Sequence, residues 1–178
     1  AKAEGLQVVA TSSFPTMARA EQAQGGNIRL VALKSVDTGY PLRGAVILSK
    51  GVGQPELAAR AIPEAGTVWV DAALLEALGL KLGDALLLGD ASFKISDIIV
   101  VEPDRGAGFM SFAPRVMINS ADLAATRLVQ PASRISYRLA LAGDGSRQGD
   151  EAAKRYQAWA EEQAKSREVR GLRVESLE

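Results

Sequence analysis

Residues 28–44 (IRLVALKSVDTGYPLRG) carry the clearest pattern in the chain. Leu30, Val31, Ala32, Leu33 and Val36 place apolar side chains on both faces of an extended segment, with Lys34 among them. The run therefore reads as a largely buried strand. Asp37, Thr38 and Gly39 stop it, because Gly39 can take a positive φ and Pro41 has no N–H to give to a ladder. The next buried strand is predicted at 45–48 (AVIL). Tyr40 and Arg43 then project from a turn held between two core strands.

Upstream, residues 6–14 (LQVVATSSF) are β-rich, and Pro15 puts their continuation at an edge or bulge. Gly25-Gly26-Asn27 turns the chain, so a long hairpin is favoured over a short helix at 17–24. Downstream, 49–53 reads as a loop and Pro55 as the first residue of a short helix over 55–61. A strand at 67–70 leads to Asp71 as N-cap of a helix whose face is Leu74, Leu75 and Leu78, closed by Gly79. Paired strands are predicted at 85–88 and 93–102 around Gly89-Asp90, and another at 115–118. Asn119 or Ser120 then caps a short helix ending near Arg127.

Residues 134–141 (RISYRLAL) alternate, predicting a strand with Ile135, Tyr137, Leu139 and Leu141 on one face and solvent on the other. Asp150 caps the longest predicted helix, to about 167, with Tyr156, Trp159, Ala160 and Ala164 as its buried stripe. Glu151–Arg155 and Glu161–Lys165 are its i,i+4 pairs. A last strand is expected at 169–174. This order predicts an α+β protein: residues 1–52 and 133–178 form one αβ lobe, and 53–132 form an inserted β-rich lobe.

Composition narrows the chemistry. The chain has 178 residues, 47% hydrophobic and 24% charged, with 21 basic and 21 acidic side chains. Balanced charge gives no global attraction to nucleic acid or anionic lipid, and no nucleic-acid partner is expected. With neither Cys nor His, thiol nucleophiles, Ser-His-Asp triads and zinc sites of imidazole or thiolate are excluded. No catalytic residue, cofactor site or metal site is expected. No apolar run approaches the ~20 residues that cross a bilayer. The opening AKAEG lacks an initiator Met and a basic leader and reads as the interior of a longer chain, with Gly5 ending a helix begun at 1–4.

Three stretches reduce to ordinary structure. Gly51-Val52-Gly53 lacks the third glycine of a dinucleotide fingerprint and has Pro55 near where the helix would open. Asp144, Ser146 and Asp150 miss calcium-loop spacing and read as a turn and helix cap. Ser12, Ser13 and Ser111 have no motif joining them to a base. The segment 103–114 (PDRGAGFMSFAP) keeps a functional reading, because Phe109, Met110 and Phe112 sit in a glycine-rich loop. They either fold back into the lobe, the favoured outcome, or form an apolar lip for cargo or a partner.

Four strings in order, LVALKSVDTGYPLRG, GTVWVDAALLEALGLKLGD, EPDRGAGFMSFAPRVMIN and QPASRISYRLALAGD, resemble the first extracytoplasmic domain of YbbP-like permeases. These are FtsX-like ABC transporter subunits related in architecture to MacB. GYPLRG and EPDRG are the specific strings. The resemblance implies a MacB-like periplasmic core domain, with an αβ porter-like lobe and an inserted β-rich lobe, in a bacterial inner-membrane protein. It implies a non-catalytic role beside a YbbA-like ATPase, transmitting its motion to hydrophobic cargo drawn from the membrane, and a neighbouring TesA-like lipase or esterase. The alternatives are a lipid- or acyl-binding module or an esterase-docking module. Tyr40, Arg43, Phe109, Met110 and Phe112 are the candidate contact residues.

Overall fold

The computed structural model describes residues 5–106, 109–131, 133–165 and 171–175, with the side chain of Phe109 excepted. Among the described residues, nine strands and three α-helices follow in the order β1 (Leu6–Ala20), β2 (Ile28–Val36), β3 (Ile47–Ser49), β4 (Glu56–Ala58), β5 (Thr67–Asp71), α1 (Ala72–Leu78), β6 (Ala85–Leu88), β7 (Ala91–Val101), β8 (Arg115–Asn119), α2 (Leu123–Thr126), β9 (Ser136–Gly143) and α3 (Arg147–Lys165). The chain is α+β and forms two units: the described residues of 1–8 and 139–178, and residues 9–138.

In the larger unit the strands run β4-β3-β7-β5-β8-β2-β1-β6, and β6 also pairs with β7. Six strands, β1, β2, β8, β5, β7 and β6, therefore close on themselves as a barrel, which removes the free edges of those strands. β2–β8 and β5–β7 are parallel, while β1–β2, β5–β8, β6–β7 and β1–β6 are antiparallel. Alternation supplies the filling. Phe14, Ala18, Val31, Leu33, Val68, Val70, Leu86, Leu88, Phe93, Ile95, Val116 and Ile118 share one buried cluster, to which α1 adds Leu74 and Leu78.

Residues of opposite parity face outward, and a second cluster covers part of that face. It consists of Val9, Val36, Tyr40, Val46, Trp69, Ile99 and Met117, with Leu42, Leu48, Ala59 and Ile62 at its margin. Strands β2, β5 and β8 are thus buried on both sides, as the two-faced apolar run at 30–36 predicts.

Several local expectations change. The predicted helix at 55–61 is the strand β4, antiparallel to β3. Ser49 folds the connection tightly, its hydroxyl donating to Gly51 O (2.8 Å), and this returns the chain beside β3 before a helical turn can close. Pro55 precedes the strand rather than opening a helix. The predicted hairpin is present, and β1 continues through Pro15, opposite Ala32, to Ala20. The units part near Val8 and Arg138, whereas the lobes read from sequence meet at 52/53 and 132/133; β2 lies in the larger unit because it pairs with β8.

In the smaller unit, α3 starts at Arg147, three residues before the expected cap Asp150. Ser146 Oγ accepts from Gly149 N (3.0 Å) and Asp144 Oδ1 from Ser146 N (2.9 Å), so Ser146 takes the capping role. Gly149 and Ala152 are its buried residues, while Trp159 is 52% exposed and stacks obliquely on Tyr156 with ring centroids 5.2 Å apart. Glu151 pairs one turn back with Arg147 (3.4 Å). On β9, Tyr137 and Leu139 are 76% and 53% exposed, so the face read as buried is not covered there. The expected strand at 169–174 lies partly outside the described residues, and 171–174 has no regular structure.

Candidate functional site

The outward face of β2 carries Ala32, Lys34 and Val36, and β8 brings Arg115 and Met117 beside them. Two cations inside an apolar layer require anions, since an unpaired buried charge is far more costly than a paired one. Glu102, just past β7, supplies both. Its Oε1 accepts from Lys34 Nζ and its Oε2 from Arg115 Nε, each at 2.9 Å. The side chains of Lys34, Arg115 and Glu102 are 5%, 4% and 0% exposed. Arg115 Nη1 also donates to Ala32 O at 3.3 Å.

Lys34 has further acceptors, at 2.8 Å on Asp104 Oδ1 and 2.9 Å on the Tyr40 hydroxyl, and its ammonium lies 4.5 Å from the Tyr40 ring centroid. Tyr40 in turn donates to Asp104 Oδ1. Burial pushes the Tyr40 phenol above its ordinary value, and the Asp104 hydrogen bond and charge push the same way. For Asp104, burial works upward. The Lys34 charge and the hydrogen bonds from Lys34 and Tyr40 outweigh it and hold the carboxyl below the usual range.

A second ion pair stands beside the first. Arg105 forks onto both carboxylate oxygens of Asp71, which raises its already high value, and Arg115 N donates to Asp71 Oδ2 at 2.8 Å. Asp71 occupies the N-cap position of α1 with extended backbone, but its side chain makes no capping bond to the helix. The carboxylate expected to cap a helix instead ties β5 to the start of β8 and to the segment after β7.

The two family-specific strings therefore meet. Tyr40 of GYPLRG holds Asp104 of EPDRG, and a Cβ at Gly44 would stand 3.1 Å from Pro103 Cβ. Sequence reasoning singled out Tyr40 but not its partners. The signal was available in Lys34, a lysine within a run apolar on both faces.

The remaining candidates lie elsewhere. Arg43 is exposed and donates to Leu42 O at 2.9 Å. Phe109 and Met110 belong to a 3-10 turn, Phe109–Ser111, with Met110 half-buried. Phe112 is 86% exposed. Among the described residues there is no cluster of metal-ligating side chains. A shallow depression of about 610 Å³ is lined by Ser120, Leu123, Ala124, Arg127, Val129 and Gln130, and it brings no charged pair or nucleophile-base pair together.

No protein-family model matches the chain. It is 35% identical over 144 residues, 81% of its length, to the uncharacterized ABC transporter permease YbbP of Escherichia coli K12. Over that stretch the chain is similar to the YbbP-like permeases. It spans 16% of that permease's length. A crystallised domain assigned to a permease protein of Porphyromonas gingivalis has the same fold, with a TM-score of 0.51 at 14% identity, over 87% of this chain and 70% of that one. Among the described residues of this YbbP-like chain, no helix is long and apolar enough to cross a membrane.

Proposed function

We propose that this chain is a periplasmic, non-catalytic domain of a bacterial inner-membrane ABC permease. It transmits motion driven by a YbbA-like ATPase to the handling or extraction of hydrophobic substrate from the membrane. The observation that carries this reading is the 35% identity to a permease over 81% of the chain. The buried ion network supports it physically. A closed barrel with Lys34, Glu102, Arg115 and Asp104 mutually paired resists internal shear and suits a body that moves as a whole.

The test uses the full permease with its ATPase in lipid nanodiscs, in a cysteine-free background. Spin labels at Arg29→Cys and Lys94→Cys report distance within the larger unit, and a third label in the membrane-spanning part reports its displacement. With ATP trapped, the first distance stays constant and the distance to the membrane part changes by several ångström. A change within the unit, or none anywhere, defeats the proposal.

One observation favours a second reading, an acyl-binding or TesA-like esterase-docking module. Phe112 is left 86% exposed, where the loop aromatics were expected to fold back. Native mass spectrometry of the purified domain without bound lipid would remove its lipid-binding form. Unchanged esterase capture after Phe112→Ser would remove the docking form.

A further inference from the structure

The second apolar cluster covers the outward side of the barrel only in part. Ala18 and Ala20 of β1, Val31 of β2 and Leu86 and Leu88 of β6 belong to the interior cluster. Strand alternation therefore turns Met17 and Arg19, Ile28 and Leu30, and Leu87 outward. Arg19 stands opposite both Ile28 and Leu87, and Leu87 opposite Ser92 of β7. Met17 stands opposite Leu30 on one side of this row, and Ala85 opposite Lys94 on the other. Met17, Ile28 and Leu30 are 47%, 56% and 38% exposed, and Arg19 and Lys94 are exposed with them. Ala32 N donates to Pro114 O at 2.9 Å, so the segment bearing Phe112 runs up to the Leu30 end of the face.

Apolar side chains gathered on one exposed face mark an interaction surface. The charge of this face is one-sided. The chain balances 21 basic with 21 acidic side chains, yet outward positions 17, 19, 28, 30, 85, 87, 92 and 94 hold Arg19 and Lys94 and no carboxylate. A second copy of the chain would set these cations against themselves. A bilayer would meet the polar turn of Glu21, Gln22, Gln24 and Asn27 beside Ile28 before the apolar row. An added strand finds no edge, because β1, β2, β6 and β7 are each paired on both sides. We propose that this face docks an acidic amphipathic helix of a partner protein. Its apolar residues, at i, i+3, i+4 and i+7, lie over Met17, Ile28 and Leu30, and its carboxylates meet Arg19 and Lys94. The inference rests on this surface alone and holds whether or not the chain transmits motion or binds lipid.

The probe is a fluorescein-labelled, hydrocarbon-stapled peptide of about 18 residues with leucine at those four positions and glutamate on both flanks. Its twin carries lysine in place of glutamate. In fluorescence anisotropy at low salt, the 178-residue chain should bind the acidic peptide at least about tenfold more tightly than the basic one. The double variant Met17→Ser with Leu30→Ser should weaken that binding at least about tenfold, and so should Arg19→Glu, which leaves every buried apolar contact in place. Val52→Ser, at a position 96% exposed outside this face, should leave it unchanged. No binding of the acidic peptide at about 0.1 mM, equal binding of the twins, or binding that survives both variants overturns the proposal. So does sedimentation of the chain with vesicles of phosphatidylethanolamine and phosphatidylglycerol that both variants abolish, since the face would then belong to a lipid surface. A dimer in solution that both variants dissociate overturns it in favour of a second copy.

Discussion

Lys34 shows how a single residue decides its neighbourhood. Its ammonium cannot stay unpaired in the layer between β2 and the residues that cover it, and three acceptors surround it, on Glu102, Asp104 and Tyr40. Lys34→Met keeps the apolar stem but removes the cation hydrogen-bonded to Asp104 and leaves Glu102 with Arg115 alone. Removing one member of a buried ion cluster costs about 3 to 5 kcal/mol, and urea unfolding should register a loss of that size. Asp104 adds a pH dependence. Its folded value is depressed, so between the folded value and the ordinary carboxylate value of about 3.9 the unfolded chain binds more protons than the folded one. The stabilisation is complete above that ordinary value and disappears as pH falls through the folded one. Thermal melts should show Asp104→Asn less stable than wild type at neutral pH, with the gap closing below about pH 4. Lys34 was legible as a residue in need of an anion. Glu102, Asp104 and Tyr40 were not legible as its partners, because separations of 68, 70 and 6 residues leave no local trace.

At the scale of elements, most boundaries follow from local chemistry. The strand Ala85–Leu88, the hairpin after it and the Gly79 cap of α1 lie where Gly-Asp turns and apolar alternation place them. Of the two caps read for the short helix, Asn119 caps the 3-10 turn Ser120–Asp122 that leads into α2, accepting from Ala121 N at 3.0 Å. Gly89 is indispensable to the β6–β7 hairpin. Its φ is 56°, and a Cβ there would stand 2.0 Å from Thr126 O. Gly89→Ala should destabilise by about 2 kcal/mol or more, read as a lower urea midpoint at unchanged slope. The misread elements are those that a tertiary partner claims. The β4 strand forms because β3 offers it an edge, overriding the helix signal of Pro55. Asp71 had the residue type and the position of an N-cap, yet Arg105 and Arg115 N take its oxygens. Asp71→Ser, which retains a capping oxygen, should therefore not restore the stability lost in Asp71→Ala when the two are compared by thermal melting.

For the whole molecule, the two units differ in how much they bury. The larger unit holds both apolar clusters and the ion network. In the smaller unit, α3 buries only Gly149 and Ala152 among its nineteen residues. Helix stability in water comes mainly from packing an amphipathic face, so α3 should open well before the barrel does. Hydrogen exchange should find the amides of its second half at least about tenfold less protected than those of β5 and β8. Equal protection would mean that α3 and the barrel unfold together.

The sequence by itself determined most of the strands and helices, though not β4, that two-faced apolar strands form the core, and that the chain holds no imidazole or thiolate. Each of these depends on composition or on contacts a few residues apart, which periodicity and turn residues record directly. Tertiary structure alone decided that six strands close into a barrel, in an order far from that of the chain. It also brought Lys34, Tyr40, Glu102, Asp104 and Arg115 to one point and drew Asp71 away from its helix. Those outcomes depend on pairing across tens of residues, where the free energy of burying and neutralising charge outweighs local preference.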